Sequence, residues 1–313
     1  MNDQLELYRR MHLIRGFEDS VQALFLKGKV HGTTHLYSGQ EASAVGVGSV
    51  LREGDRVAGT YRGHGHALAV GVDEQALMDE LLGRATGVCG GRGGSMNVID
   101  LEHGLIGCFG IVGGSMSAAT GAALASKLRG DGGVAVAFFG DGATNQAYFA
   151  ECLNFARVER LPLVFVCENN LYMEFTPIED VTAGAIEDRP RALGIHTQVV
   201  DGNDLWAVQE GARTAVEVAR SGEGPAFLMT MTYRFVGHSR SDPARYRKPG
   251  ELEAWKLRDP LIIARRRLET EHGVTADALD RVEAEVGARL DEVVERALAA
   301  PWPDVALAGE FKE

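Results

Sequence analysis

The segment LPLVFVCENN, residues 161–170, joins a buried strand to a polar end. Its apolar run, VFVC, is typical of a core strand, and the chain then continues into Glu168, Asn169 and Asn170. A pair of asparagines is typical of a turn, because asparagine tolerates left-handed backbone geometry and bonds its own backbone. Turn formation is the simplest interpretation of the two amides, so a binding role needs support from elsewhere in the chain.

A second apolar run lies one helix upstream. Residues 134–139 (VAVAFF) predict a buried strand, the motif GDG at 140–142 ends it, and residues 143–160 have the pattern of a helix. A strand, a helix and a strand in this order predict two parallel strands, with Asp141 and Asn170 both at carboxyl ends. In open α/β sheets, ligands bind at that edge.

The groups at these two strand ends suit a metal and an anion. Asp141 supplies a carboxylate, Asn170 supplies a neutral carbonyl oxygen, and the following turn supplies a main-chain carbonyl. Magnesium and calcium prefer such oxygen ligands, and magnesium usually completes its coordination with phosphate oxygens and water. The helix predicted from Ala143 would point its amino end, which favours anions, at the same place. The pattern therefore predicts a magnesium–diphosphate site.

Composition excludes several classes of protein. The chain of 313 residues has a net charge of -12 and no sustained run of lysine and arginine, so nucleic acid and anionic membrane are poor candidate partners. Its four cysteines lack metal-ligand spacing, and its first residues, MNDQLELYRR, lack the pattern of a signal peptide. No apolar run approaches the roughly 18 residues of a membrane span. We expect a reduced, cytoplasmic protein.

The remaining segments predict one α/β domain over residues 1–313. The sheet is expected to be mostly parallel and flanked by helices, with helical extensions at about 1–30 and 248–313. The glycine-dense segment 88–114 is expected to be a packed loop, with little regular structure, that holds backbone amides close to another group. Further helices are predicted at 41–51, 117–128 and 206–220, and further strands at 195–202 and 225–235.

The spacing of the strand-end motifs resembles a known cofactor motif. Residues 140–142, 26 intervening residues and Asn169-Asn170 resemble the thiamine diphosphate-binding motif. From about residue 5 to residue 260, the chain is similar to the alpha subunit of the decarboxylating component of 2-oxo acid dehydrogenase complexes. The similarity rests on HLYSGQEA (35–42), TYRGHGH (60–66), GRGGSMN (91–97), GIVGG (110–114), FFGDGATNQ (138–146), ENNLY (168–172) and TYRFVGHSRSDP (232–243).

The resemblance implies a role for each residue that matches these motifs. The implied magnesium ligands are the side chains of Asp141 and Asn170 and the backbone carbonyl of Tyr172. The implied contacts to thiamine diphosphate are Tyr61, Arg62, Gly110, Val112, Gly142, Ala143, Asn170 and His238, with Gly110 and Val112 against the aminopyrimidine. The implied catalytic residues near the substrate are His35, His64 and His238.

Several of these residues have alternative interpretations. Arg62 could form a surface ion pair, and His64 could share a metal site with His66, which is otherwise interpreted as a structural histidine. Ser239 occupies a place where some relatives are phosphorylated, although a serine that turns its loop is the simpler interpretation.

The chain departs from the family pattern at three places. Met173-Glu174-Phe175 replaces a small, glycine-rich stretch, which affects the expected size of the substrate pocket. Asn97 replaces a frequent histidine, and Phe235-Val236 replaces a more polar pair. These changes could alter the pocket or represent neutral drift.

One functional group is missing from the sequence. Thiamine diphosphate chemistry needs a carboxylate beside the pyrimidine ring, and Glu41 and Glu151 lie in helical patterns that indicate structural or solvated roles. The resemblance implies that a beta subunit supplies this group, in an α2β2 heterotetramer. The expected reaction is oxidative decarboxylation of a 2-oxo acid, pyruvate first, with acyl transfer to a lipoyl-bearing acyltransferase. The alternatives are cleavage of acetoin, biosynthetic two-carbon transfer without a lipoyl partner, and a non-catalytic interaction module.

Overall fold

A computed structural model describes residues 2–304 and shows a six-stranded parallel sheet. The spatial order of the strands is β2-β1-β3-β4-β8-β7. The strands are β1 (Arg56–Thr60), β2 (Leu105–Phe109), β3 (Ala135–Gly140), β4 (Leu163–Asn169), β7 (His196–Asp201) and β8 (Ala226–Met231). A small antiparallel hairpin, β5 (Tyr172–Met173) and β6 (Thr176–Pro177), follows β4. The prediction of a mostly parallel α/β fold is confirmed.

Helices cover both faces of the sheet. They are α1 (Asn2–Leu26), α2 (Glu41–Gly48), α3 (His64–Val70), α4 (Glu74–Leu81), α5 (Gly114–Arg129), α6 (Ala147–Val158), α7 (Asp188–Ala192), α8 (Leu205–Arg220), α9 (Glu251–Lys256), α10 (Pro260–Glu271) and α11 (Ala276–Ala299). The amino-terminal α1 packs against α11, so the predicted helical extensions contact each other. Within residues 2–304, no helix is long and apolar enough to cross a membrane.

The central strands are buried on both sides, because their side chains alternate between two hydrophobic cores. In β3, Val136 and Phe138 contact the core under α1, α2 and α8, whereas Ala137 and Phe139 contact the core under α5 and α6. Apolar residues on both faces explain why β3 and β4 read as continuous apolar runs in the sequence.

The structure differs from the predicted secondary structure in two segments beside the polar strand ends. The helix expected from residue 143 begins at Ala147, because residues Asp141–Asn145 form a 3₁₀ turn and Gln146 is extended. Segment 88–114, expected to have little regular structure, contains the edge strand β2. Glycines alternate with apolar residues in this segment, so the sequence did not indicate a strand. The strand β2 lies at the edge of the sheet and pairs with β1.

Candidate active site

The polar strand ends meet at one cavity of about 450 Å³. It lies beyond the carboxyl ends of the sheet, where the parallel strands bring the ends of β3 and β4 side by side: Gly140 pairs with Glu168. The cavity wall contains all but one of the predicted site residues, namely His35, Tyr61, Arg62, Gly110, Val112, Asp141, Gly142, Ala143, Asn170, Tyr172 and His238.

Asp141 is a buried carboxylate without a cation. Its side chain is 1% exposed, and its Oδ2 atom has no hydrogen-bond partner. Burial raises the pKa of Asp141 to about 7, and the Gly142 backbone amide and the charge of Arg234 offset only part of this effect. A buried oxygen without a hydrogen-bond partner is costly, so a bound metal ion would stabilise it.

The two asparagines have different roles. Asn169 forms the turn: its Oδ1 atom accepts a hydrogen bond from the Leu171 N–H at 3.1 Å, and Leu171 adopts a left-handed backbone with φ of 72°. Asn170 lines the cavity, and its Nδ2 donates to Oε1 of Gln40 at 3.2 Å. That bond fixes the amide so that Oδ1, which also accepts a long hydrogen bond from the Tyr172 N–H at 3.4 Å, is the oxygen that could bind a metal ion. The turn interpretation is therefore correct for Asn169, and the predicted ligand position is compatible with Asn170.

Tyr172 lies in the cavity wall. Its phenol donates to Oε2 of Glu251 at 2.8 Å, outside the cavity wall. The side chain thereby anchors the chain after the turn, which is consistent with the predicted use of the backbone carbonyl.

Two buried arginines lie in the cavity wall without a carboxylate partner. Arg62 is 4% exposed and Arg234 is 1% exposed, and among residues 2–304 neither forms an ion pair. Arg62 donates to the carbonyls of Leu36 and His238, and Arg234 donates to the Tyr246 hydroxyl at 2.7 Å and to the carbonyl of Glu174. Burial lowers the pKa of Arg62 to about 10, and the charge of Arg234 adds to the effect. This arrangement favours binding of an anion between the two guanidinium groups, and the surface ion pair considered for Arg62 is wrong.

An aromatic cluster of His35, Tyr61 and His238 adjoins these arginines. The ring centroids of His35 and His238 lie 4.9 Å apart, and that of Tyr61 lies 4.6 Å from His35. Burial, followed by the charge of Arg62, lowers the pKa of His35 to about 3 and that of His238 to about 4. Both rings are therefore neutral at physiological pH and can accept a proton or a hydrogen bond.

The depressed pKa of His35 predicts acid sensitivity of the fold. Between pH 6.5 and about 3, the unfolded chain binds a proton at this position that the folded chain does not, so stability falls as pH falls. We expect wild type to lose about 1–2 kcal/mol more free energy of unfolding than His35→Gln between about pH 7 and pH 5. Urea denaturation at the two pH values measures this difference. Exposed His31 provides the control: His31→Gln should follow wild type, and an equal response of all three proteins would contradict the assignment.

His64 is the predicted site residue that does not line the cavity. Its side chain is fully buried, with Nδ1 2.9 Å from Oε2 of Glu18 and Nε2 2.9 Å from Oγ of Ser95. The predicted position beside the substrate is therefore corrected to one behind the cavity wall. His66 is also fully buried and lies 3.1 Å from Oε2 of Glu168, as expected of a structural histidine. The two rings have separate partners, which contradicts a shared metal site.

The glycine-dense loop binds a side chain of the protein itself. The carboxylate of Glu80, which is fully buried, accepts hydrogen bonds from the backbone amides of Cys89, Gly91, Gly93 and Gly94. The expectation that the loop holds amides close to another group is confirmed, and between residues 89 and 94 that group is Glu80. Within the segment 88–114, the cavity wall contains Met96 and the later residues 109–113.

Sequence reasoning missed several polar residues of the cavity wall, and three of them are Gln40, Glu168 and Arg234. Glu168 accepts hydrogen bonds from the hydroxyls of Tyr37 and Ser43, so its role is to order the floor of the cavity. Each of the three lies inside a motif quoted above, and an acid directly after a buried strand was a usable signal for Glu168.

The departures from the family pattern lie at different distances from the cavity. Met173, Glu174 and Phe175 line it, whereas Asn97 is exposed and Val236 packs against the hydrophobic core. Ser239 lies close to Ser241, with its Oγ atom 3.1 Å from that of Ser241. The segment 173–175 is therefore the departure that can act on a bound molecule.

The fold and the cavity define a class of α/β protein with a cavity, lined by buried charged residues, at the carboxyl edge of a parallel sheet. The model of the family described as dehydrogenase E1 component matches residues 9–306. The alpha subunit of acetoin:2,6-dichlorophenolindophenol oxidoreductase from Cupriavidus necator is 44% identical over 301 residues, covering 96% of this chain and 90% of the relative. Its Bacillus subtilis counterpart is 43% identical with the same coverage. The alpha subunit of the pyruvate dehydrogenase E1 component from Rhizobium meliloti is 41% identical over 306 residues, covering 97% and 88%.

The chain belongs to the dehydrogenase E1 component family. The expectation of an alpha subunit of a thiamine diphosphate-dependent 2-oxo acid dehydrogenase is confirmed, and with it the prediction of an oxidoreductase. Because these relatives are alpha subunits, a beta-subunit partner is implied.

Proposed function

We propose that this chain holds Mg²⁺ and the diphosphate of thiamine diphosphate, and that a beta subunit completes the active site. The observation that carries the proposal is that one cavity contains a buried carboxylate with an unpartnered oxygen, Asp141, and two buried arginines, Arg62 and Arg234, that form no ion pair within residues 2–304. A metal–diphosphate complex has the charges that both halves of this arrangement need.

The described residues fit such a complex. Asp141, Asn170 and the Tyr172 carbonyl would provide oxygen ligands to Mg²⁺. Arg62, Arg234 and the backbone amides of Gly142 and Ala143 would bind the phosphate oxygens. A side chain at Gly142 would collide with Met173, because its Cβ would lie 2.6 Å from Met173 Cγ, so glycine keeps the backbone accessible.

When bound, thiamine diphosphate would supply the electron sink for cleavage of the bond beside the substrate carbonyl. This chain would position the substrate and handle its protons. The neutral rings of His35 and His238 can exchange protons or hydrogen bonds with the substrate, and Arg62 fixes the His238 backbone at 2.9 Å. His64 and Glu80 would act indirectly, because they fix α3 and the glycine-dense loop from behind the cavity wall.

The part of the cavity wall around Gly110 and Val112 is exposed to solvent. Ile111 and Val112 are 68% and 41% exposed, and Tyr148, packed beside Gly113, is 40% exposed. This apolar surface continues along α6 through Phe155 and Val158. Glu41 is bound by Arg15, and Glu151 is exposed on α6 outside the cavity wall, so neither carboxylate can serve the pyrimidine. These observations support docking of the beta subunit at this surface and an α2β2 assembly.

Two reactions compete for this site. Oxidative decarboxylation of a 2-oxo acid such as pyruvate, with transfer to a lipoyl-bearing acyltransferase in the cytoplasm, is the first candidate. Cleavage of acetoin is the second, favoured by the similarity to two acetoin-oxidising alpha subunits.

Turnover by the co-expressed α and β subunits tests the proposal. The complex should reduce 2,6-dichlorophenolindophenol with pyruvate or acetoin, and only when thiamine diphosphate and Mg²⁺ are present. Addition of a lipoyl-bearing protein should accelerate turnover if an acyltransferase is the natural acceptor. A complex that is inactive with pyruvate, branched 2-oxo acids and acetoin would contradict the proposed function.

A further inference from the structure

The tip of the β5–β6 hairpin, Glu174-Phe175, forms part of the cavity wall. Glu174 adopts a left-handed backbone with φ of 55°, which is uncommon for a residue other than glycine. The tip is the one departure from the family pattern that reaches the cavity, so its side chains are candidates for an effect on substrate choice.

Residues of the cavity wall contact this tip and hold its backbone in place. Arg234 donates a hydrogen bond to the Glu174 carbonyl, and Met173 packs against Gly142. The Phe175 ring lies edge-on to His238 at 6.1 Å between centroids and also contacts Tyr246 at 5.6 Å. These contacts fix the backbone at Glu174, so its exposed carboxylate stays beside the cavity.

Glu174 brings an exposed carboxylate to the cavity wall. Among the described residues that line the cavity, it is the one charged side chain that is exposed; Arg62, Asp141, Glu168 and Arg234 are all buried. The neighbouring residue Phe175 contacts His238, so the hairpin tip that carries Glu174 adjoins the aromatic cluster.

The aromatic cluster does not offset this charge. His35 and His238 are neutral, and Arg234 donates a hydrogen bond to the backbone carbonyl of Glu174. In the proposed function, Arg62 and Arg234 bind the phosphate oxygens. The carboxylate of a substrate would then meet a like charge at Glu174, with neither arginine left to offset it.

We propose that Glu174 is a specificity residue that favours an uncharged 2-hydroxyketone, such as acetoin, over an anionic 2-oxo acid. This inference rests on the proposed function of the site. Like charges separated by several ångströms at a solvated mouth repel weakly, so Glu174 should change selectivity by roughly three- to tenfold rather than absolutely.

The test compares wild type with Glu174→Gln in the co-expressed complex. We expect the ratio of kcat/KM for pyruvate to that for acetoin to rise roughly three- to tenfold in the variant. Raising the salt from about 10 to 200 mM should increase this ratio in wild type and change it much less in Glu174→Gln, because screening removes the same repulsion. Asp180→Asn, which removes an exposed acid outside the cavity wall, should leave the ratio unchanged.

Three outcomes would overturn the inference. Equal effects of Glu174→Gln on both substrates would mean that the residue has only a structural role. A changed affinity for thiamine diphosphate, measured by calorimetry, would place Glu174 with the cofactor instead. A wild-type complex without activity on either substrate would overturn the proposed function and the inference with it, whereas activity with an unchanged ratio overturns the inference alone.

Discussion

Asp141→Ala is expected to abolish Mg²⁺-dependent binding of thiamine diphosphate, with a loss of affinity of at least roughly 100-fold. Asp141 is the only charged side chain among the three proposed metal ligands. Replacing groups that merely support metal ligands already costs about 10- to 100-fold. Calorimetric titration of the co-expressed complex, with Mg²⁺ and then with EDTA, measures the effect.

The stability of the variant separates loss of the site from loss of the fold. Because Asp141 is buried with an unpartnered Oδ2 atom, removing it should not lower the melting temperature of the cofactor-free complex. Asp141→Asn keeps the shape and removes the charge, and it should also lose most of the affinity. Glu210→Gln, on the exposed face of α8, should bind as wild type does. Unchanged affinity in Asp141→Ala would contradict the metal-site assignment.

Arg62→Met is expected to weaken diphosphate binding by roughly 100-fold. Hydrogen bonds to charged groups contribute about 1.5–3 kcal/mol each, and about 1.4 kcal/mol corresponds to tenfold in affinity. The loss should be specific to the phosphates, so weak binding of thiamine itself should change much less than binding of thiamine diphosphate. Competition calorimetry with the two ligands measures that contrast.

Arg62→Lys is the matched control. Lysine keeps the positive charge but cannot form the paired hydrogen bonds of a guanidinium, so its affinity should lie between those of wild type and Arg62→Met. An equal loss for thiamine and thiamine diphosphate would show that Arg62 supports the fold around the cavity rather than the anion.

The metal and diphosphate positions could be predicted from the sequence because their signals are local. Asp141 directly follows β3 and Asn170 directly follows β4, and parallel strands bring their carboxyl ends to one edge of the sheet. Asp141 and Asn170 therefore needed only the prediction of β3, α6 and β4.

The sequence predictions failed where residues far apart in the sequence determine which way a side chain points. His64 lies in a motif, but Glu18 on α1 and Ser95 in the glycine-dense loop hold its ring behind the wall. Glu80 has the sequence pattern of an ordinary helical acid, and only the tertiary structure brings four backbone amides to it. Arg234 follows β8 by three residues, and its cavity position depends on the hairpin that it binds.

The central claim is that this chain is half of an active site. Turnover of the purified chain should be compared with that of the co-expressed α and β subunits, with thiamine diphosphate, Mg²⁺, an artificial electron acceptor, and pyruvate or acetoin. We expect turnover only in the presence of the beta subunit, because the wall at Gly110 and Val112 is open and the carboxylates of the cavity have other roles. Turnover by the chain alone, at a rate similar to that of the complex, would contradict the claim.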